Sequence, residues 1–182
     1  YRKVCGNDMP KTFEKFRDMK YNESVKWKET QAIYRKSNAY GKIIAKEPEI
    51  TADLTKISND TGVSMIGLEH RVKTKDSFLR KVGTDSNHSL DAQVITDTIN
   101  STNDVIRYTY QDNPLNLTNA YMNVTDAMKA KGYEVIRVKN TWLDKHSAYK
   151  GVNCIFKAPS GQKFEVQFHT PESFKIKDGP MH

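Results

Sequence analysis

The chain has 182 residues, 29 Lys+Arg against 22 Asp+Glu, and a formal charge of +7. At 37% hydrophobic and 10% aromatic it has the length and the apolar content for a buried core, which excludes a disordered tail. No apolar run approaches the roughly 18 residues that span a bilayer, and Cys5 and Cys154 supply neither a disulfide framework nor a zinc site.

Charge and texture divide the sequence near residue 50. Residues 1–50 carry 12 basic and 7 acidic groups, whereas residues 51–182 carry 17 and 15. We therefore expect a basic, helical extension over 1–50 and one folded domain over 51–182. A first residue of Tyr rather than Met suggests a piece of a longer chain, and two lone cysteines suggest reducing, intracellular surroundings. Asn22 to Lys46 reads as helix, with Val25, Ile33, Ala39, Ile43 and Ile44 as core contacts. Val63 to Lys73 reads as a strand, followed by helices over Asp76–Val82 and Ser89–Asn100. Asp104 to Tyr110 is rich in β-branched and aromatic residues and predicts a strand. A helix from Leu117 to Lys131 should end at Gly132, ahead of a strand over Tyr133–Lys139. Gly151–Ala158 and Gln162–His169 flank Pro159-Ser160-Gly161 and predict a hairpin, after which Thr170-Pro171 opens a last helix. The sum is an α+β domain with a mixed sheet of about five strands flanked by helices.

Alternation shows where chemistry could sit. In Phe164–Thr170, Phe164, Val166 and Phe168 share one face, while Glu165, Gln167 and His169 share the other. An acid, an amide and an imidazole in a row suit the floor of a site. On the residues alone, the plainer reading is the solvated face of a sheet. From Arg71 to Lys81, five cations (Arg71, Lys73, Lys75, Arg80, Lys81) accompany a single acid, Asp76. Such density fits a polyphosphate clamp or a solvated helix surface.

Five stretches together carry a family resemblance. Arg71-x-Lys73-x-x-x-Ser77-x-x-x-Lys81 resembles the phosphate-binding signature of RelA/SpoT-type alarmone synthetases. Asp104-Val105-Ile106 is similar to the start of the family's magnesium-binding strand, and Lys139 and Lys145 fall in a stretch similar to its lysine-containing approach to the acceptor. Tyr149-Lys150-Gly151-Val152-Asn153 resembles its Tyr-x-Ser-Leu-His motif, and Phe164–Thr170 its Glu-x-Gln-x-Arg-Thr strand.

The resemblance implies a nucleotidyltransferase-like synthetase fold and transfer of pyrophosphate from ATP to the ribose 3′-hydroxyl of a purine nucleotide. It assigns Arg71, Lys73, Ser77 and Lys81 to the ATP phosphates, and Asp104 and Glu165 to catalysis and to Mg²⁺. It assigns Tyr149, Asn153, Lys139, Lys145, Gln167 and His169 to the acceptor side. Four positions depart from the pattern: Arg107 and Thr109 stand where the family has Gly and Arg, Asn153 replaces a His, and His169 replaces an Arg. The family's hydrolase requires an adjacent His-Asp pair, which this sequence lacks, so synthesis without degradation is expected. That resembles the small and toxin-like members, which act in the cytoplasm and, when delivered into another cell, imply an immunity or antitoxin protein. Residues 5–16 are similar to the C-terminal part of phage minor head proteins, to which toxin domains can be fused. Two alternatives stay open: pyrophosphorylation of the tRNA 3′-CCA end, and a non-catalytic phage structural or nucleic-acid-binding domain.

Overall fold

The computed structural model describes residues 9–146 and 150–177. Helix α1, Met9–Ile44, begins well before Asn22 and runs for 36 residues. Its C-terminal half meets the body: Ala32 and Ile43 are buried, and the Tyr40 ring packs at a tilt 5.5 Å from Phe78 while its hydroxyl donates to Lys73 O at 2.8 Å. Ile33, expected in the core, is 56% exposed, because Ala32 takes the inward position.

Helix α2, Glu47–Thr61, is absent from the sequence reading. Its apolar residues are few, but Ile50, Leu54 and Ile57 form one stripe, and all three are buried. Pro48 suits its first turn, and Gly62 ends it at φ 74°, a left-handed conformation that costs glycine little. The helix runs straight through residue 50, where the composition changes.

The expected strand over 63–73 is cut short. Strand β1 is only Ser64–Ile66, since Gly67 turns at φ 69° into a 3₁₀ turn, Leu68–His70. The chain regains the sheet at a single bridge, Val72 to Ile106. Thr74 then caps α3, Lys75–Asp85, and Asp91 caps α4, Ala92–Ser101, by accepting the N–H groups of Gln93 and Val94. The remaining elements are β2 (Arg107–Gln111), α5 (Leu117–Ala130), β3 (Glu134–Asn140), β4 (Val152–Lys157), β5 (Lys163–His169) and α6 (Pro171–Lys177). Each overlaps its expected span, shifted by a few residues at most.

The five strands lie in the order β1-β2-β5-β4-β3, with only β2 and β5 parallel. One face is apolar. Phe164, Val166 and Phe168 are fully buried there beside Cys154, Phe156, Tyr108 and Tyr110, beneath α2 and α5. Phe164 meets Tyr108 and Tyr133 edge-on, and Tyr110 stacks on Phe168 at 5.6 Å. Each such ring contributes on the order of 2 kcal/mol by burial alone. The tyrosine hydroxyls leave the core through hydrogen bonds: Tyr110 donates to Leu54 O at 2.7 Å, and Tyr133 to Asp53 Oδ2 at 2.7 Å.

Cys154 lies in this layer, and burial pushes its thiol up to about 12. The thiolate is the reactive form, so Cys154 should resist iodoacetamide at pH 8 in the native protein and label within minutes once unfolded. Peptide mapping after both treatments checks this; rapid native labelling of Cys154 would show an open core.

Candidate active site

The opposite face of the same sheet is polar yet covered. Glu165, Gln167 and His169 retain 8%, 7% and 0% of their exposure, so they do not form a solvated face. A buried carboxylate needs hydrogen-bond donors, and Glu165 has them. Its Oε1 accepts from Asn153 Nδ2 at 2.6 Å and from Gln167 Nε2 at 2.7 Å. Sheet register makes this pairing automatic: Asn153 on β4 lies opposite Gln167, and Ile155 lies opposite Glu165.

A cleft of about 270 Å³ opens beside Glu165, lined by Lys81, Asp85, Asn103, Asp104, Arg137 and Asn153 among others. Asp104 does not lie in β2 but precedes it, at the mouth between α4 and the strand. Lys73 Nζ lies 3.5 Å and Lys81 Nζ 3.9 Å from Asp104 Oδ2, and Lys81 also approaches Asp85 at 3.8 Å. The side-chain oxygens Asn103 Oδ1 and Asp104 Oδ1 are buried without a hydrogen-bond partner. Asp104 Oδ1 is thus unpaired while its other oxygen, Oδ2, faces two lysines.

The structure thus brings Asp104, Glu165, Lys81 and Asn153 to the lining of one cleft, with Lys73 behind Asp104 and Gln167 behind Glu165. Other expected site residues stand apart. Arg71 pairs through Nε with the buried Glu47 and donates Nη1 to Leu68 O at 2.9 Å, so its guanidinium is engaged by α2. Ser77 sits in the first turn of α3, where its N–H bonds Thr74 Oγ1 at 3.2 Å. Lys139 is exposed on β3 opposite Asn153, on the cleft's face of the sheet but outside the lining, and Lys145 is exposed in the turn after β3. His169 is wholly enclosed, bonded to Gln167 and Ser173. Tyr149 and Cys5 lie outside the described residues.

Sequence reasoning missed Arg137, Asp85 and Asn103. Arg137 reaches the cleft because a bulge between Val135 and Arg137 shifts the β3 register, placing Arg137 opposite Ile155. A cation between Ile136 and Val138 in a β-type run was the available signal. Arg107, which departs from the family pattern, has Glu165 as its register partner, which puts it on the cleft's face of the sheet.

Among the described residues no three His, Cys, Asp or Glu side chains lie close enough to hold a metal unaided. Magnesium binds through one or two carboxylates and substrate phosphates, and Asp104 and Glu165 bring two carboxylates to the cleft, with the amide oxygen of Asn103 next to Asp104 in sequence. The residues fit such an ion. A larger cavity of 420 Å³, lined by Leu117, Tyr121, Val138, Trp142 and Val152, lies on the apolar face and contains no charged side chain.

No protein-family model and no curated protein matches the sequence. Solved structures do. The type VI effector Tas1, solved in complex with its immunity protein, superposes with a TM-score of 0.54 at 20% identity. The fold is shared with Tas1. The match covers 75% of this chain and 62% of the Tas1 chain. Two looser likenesses are the small alarmone synthetase 1 from Bacillus subtilis, with a TM-score of 0.49, 16% identity and coverage of 82% and 73%, and smu.1046c from Streptococcus mutans UA159, with 0.47, 15%, 74% and 68%. With scores below 0.5, these two add nothing to the assignment. The mixed, helix-flanked sheet of about five strands expected from the order of elements in the sequence is the one observed.

Pairing with a buried carboxylate makes Arg71 part of the framework. Arg71→Met leaves Glu47 uncompensated and should cost about 3 kcal/mol of stability, read from urea denaturation. An unchanged midpoint would show that Arg71 is free to serve the site.

Proposed function

We propose that the chain is an ATP-dependent 3′-pyrophosphokinase acting on a purine nucleotide, with guanosine preferred to adenosine. The observation that carries this reading is the meeting of Asp104 and Glu165 at one cleft, with Lys73 and Lys81 on the Asp104 carboxylate.

In this reaction the acceptor's 3′-oxygen forms a bond to the β-phosphorus of ATP. The bond between that phosphorus and the oxygen bridging it to the α-phosphate breaks, and AMP leaves. Such transfers demand charge neutralisation and positioning more than covalent help. Lys73 and Lys81, which lie on Asp104, would exchange it for triphosphate oxygens, and Arg137 would add a third cation at the cleft. Asp104, with Asn103 beside it, would hold Mg²⁺, which when bound neutralises phosphate charge as the bond breaks. Glu165 takes the proton of the 3′-hydroxyl. Its Oε1 is occupied by two amides, which leaves Oε2 to face the acceptor. Tyr149, Lys139 and Lys145 belong to the acceptor side of this proposal.

A toxin role follows the same reading. Tas1 is an effector with an immunity protein, so an immunity partner and delivery into another cell are proposed for this chain too. No helix among the described residues is long and apolar enough to cross a membrane.

The test is direct. Protein, Mg²⁺ and γ-³²P-ATP are incubated separately with GDP, GTP, AMP, ADP and bulk tRNA, and the products resolved. Label should move to a purine nucleotide, and Glu165→Gln should slow transfer by roughly 10²- to 10⁴-fold without loss of folding. Asp104→Ala should be at least as damaging. Label on tRNA alone would identify the rival acceptor; no labelled acceptor in any arm would overturn the proposal.

A further inference from the structure

His169 never reaches the cleft, although it lies on the same face of β5 as Glu165. It is completely buried, and its ring is held on every side. Nε2 lies 3.1 Å from Gln167 Oε1, and Nδ1 lies 3.1 Å from Ser173 Oγ. Phe174 packs edge-on against the ring at 6.1 Å. On the remaining side is Gly151, where a Cβ would come within 2.9 Å of His169 Cε1 and 3.1 Å of Phe168 O. The glycine lets the backbone just before β4 approach the imidazole.

The direction of these hydrogen bonds can be deduced. An ionised carboxylate only accepts, so the bond between Glu165 Oε1 and Gln167 Nε2 requires the amide nitrogen of Gln167 there. The carbonyl oxygen of Gln167 then faces His169, and its partner, Nε2, must carry the proton. Polarity thus runs from His169 through Gln167 to Glu165. The far end is fixed in the first turn of α6, where Ser173 N–H donates to Thr170 Oγ1 at 3.1 Å and Thr170 N–H donates to Ser173 Oγ at 3.0 Å.

We propose that His169 is a positioning residue, which acts through Gln167 to set the orientation of the Glu165 carboxylate toward the cleft. As a step in catalysis this rests on the pyrophosphokinase reading above; as a hydrogen-bond relay it stands on the geometry alone. It differs from contact with the acceptor in its kinetic signature. A residue that orients the base changes turnover, whereas one that binds acceptor changes acceptor KM.

Three variants distinguish these roles. His169→Gln retains a donor near the Nε2 position, His169→Asn retains a nitrogen only near Nδ1, and Gln167→Met removes the amide between. His169→Asn should lower kcat by about 10- to 100-fold, as orienting partners of site ligands do, with little change in acceptor KM. His169→Gln should restore most of the loss. In the Gln167→Met background, His169→Asn should cost nothing further, because the relay is already cut. Thermal melts identify any variant that fails to fold. Independent, multiplying losses in the double variant, or a rise in acceptor KM with kcat intact, would overturn the proposal. A second readout needs no turnover. The side-chain amide signals of Gln167 in ¹⁵N–¹H NMR should be sharp in the wild type and in His169→Gln, and exchange-broadened in His169→Asn. Unchanged Gln167 signals in His169→Asn would also overturn the relay. Dependence of those signals on His169 in a protein that transfers to no acceptor would leave the relay standing and sink the enzyme reading.

Discussion

The structure turns on one carboxylate. Glu165 is withdrawn from water on a strand that is covered on both faces, and an ionised group there persists only if its oxygens are satisfied. Asn153 and Gln167 both donate to the same oxygen, one from each strand of the hairpin. The register of β4 on β5 is therefore a condition for the site: a one-residue slip would put Asn153 on the apolar face and strip Glu165 of one donor. Phe156, Phe164, Val166 and Phe168 hold that register from the other side. Core packing and site geometry are two faces of one alternating pattern.

The same pattern explains how much could be read in advance. Phe164 to His169 announces both faces directly, and Pro159-Ser160-Gly161 announces the hairpin that aligns Asn153 with Gln167. Asp104, Lys73 and Lys81 were also legible as candidates, although from three separate elements. What failed did so for local reasons. Helix α2 hides because Thr51, Asp53, Thr55 and Lys56 dilute its apolar stripe. Strand β1 ends early because Gly67 adopts a left-handed turn that period-two counting does not detect. Arg137 was lost to a bulge, which breaks the alternation by one residue and turns the guanidinium toward the cleft. The ion pair of Arg71 with Glu47 was not legible either, because Glu47 belongs to the helix the sequence did not reveal.

The global charge of +7 says little about the cleft. Residues 1–50 carry most of it, and residues 13–24 of α1 stand exposed, with Tyr21 at the surface and Trp27 just beyond. Around the cleft the balance is near even, with Lys73, Lys81 and Arg137 against Asp85, Asp104 and Glu165. A polyanion bound there would displace carboxylates from lysines, and a divalent cation would then satisfy those carboxylates. In the proposed reaction, triphosphate and metal would for that reason bind cooperatively, each removing the other's penalty.

The most direct measurement is a crystal structure with Mg²⁺ and α,β-methylene-ATP, in which the bond broken in the proposed transfer cannot be cleaved. The account predicts the triphosphate on Lys73 and Lys81, the metal on Asp104, and the β-phosphorus facing Glu165. A nucleotide bound in the apolar cavity beside Trp142, or none bound at all, would contradict it.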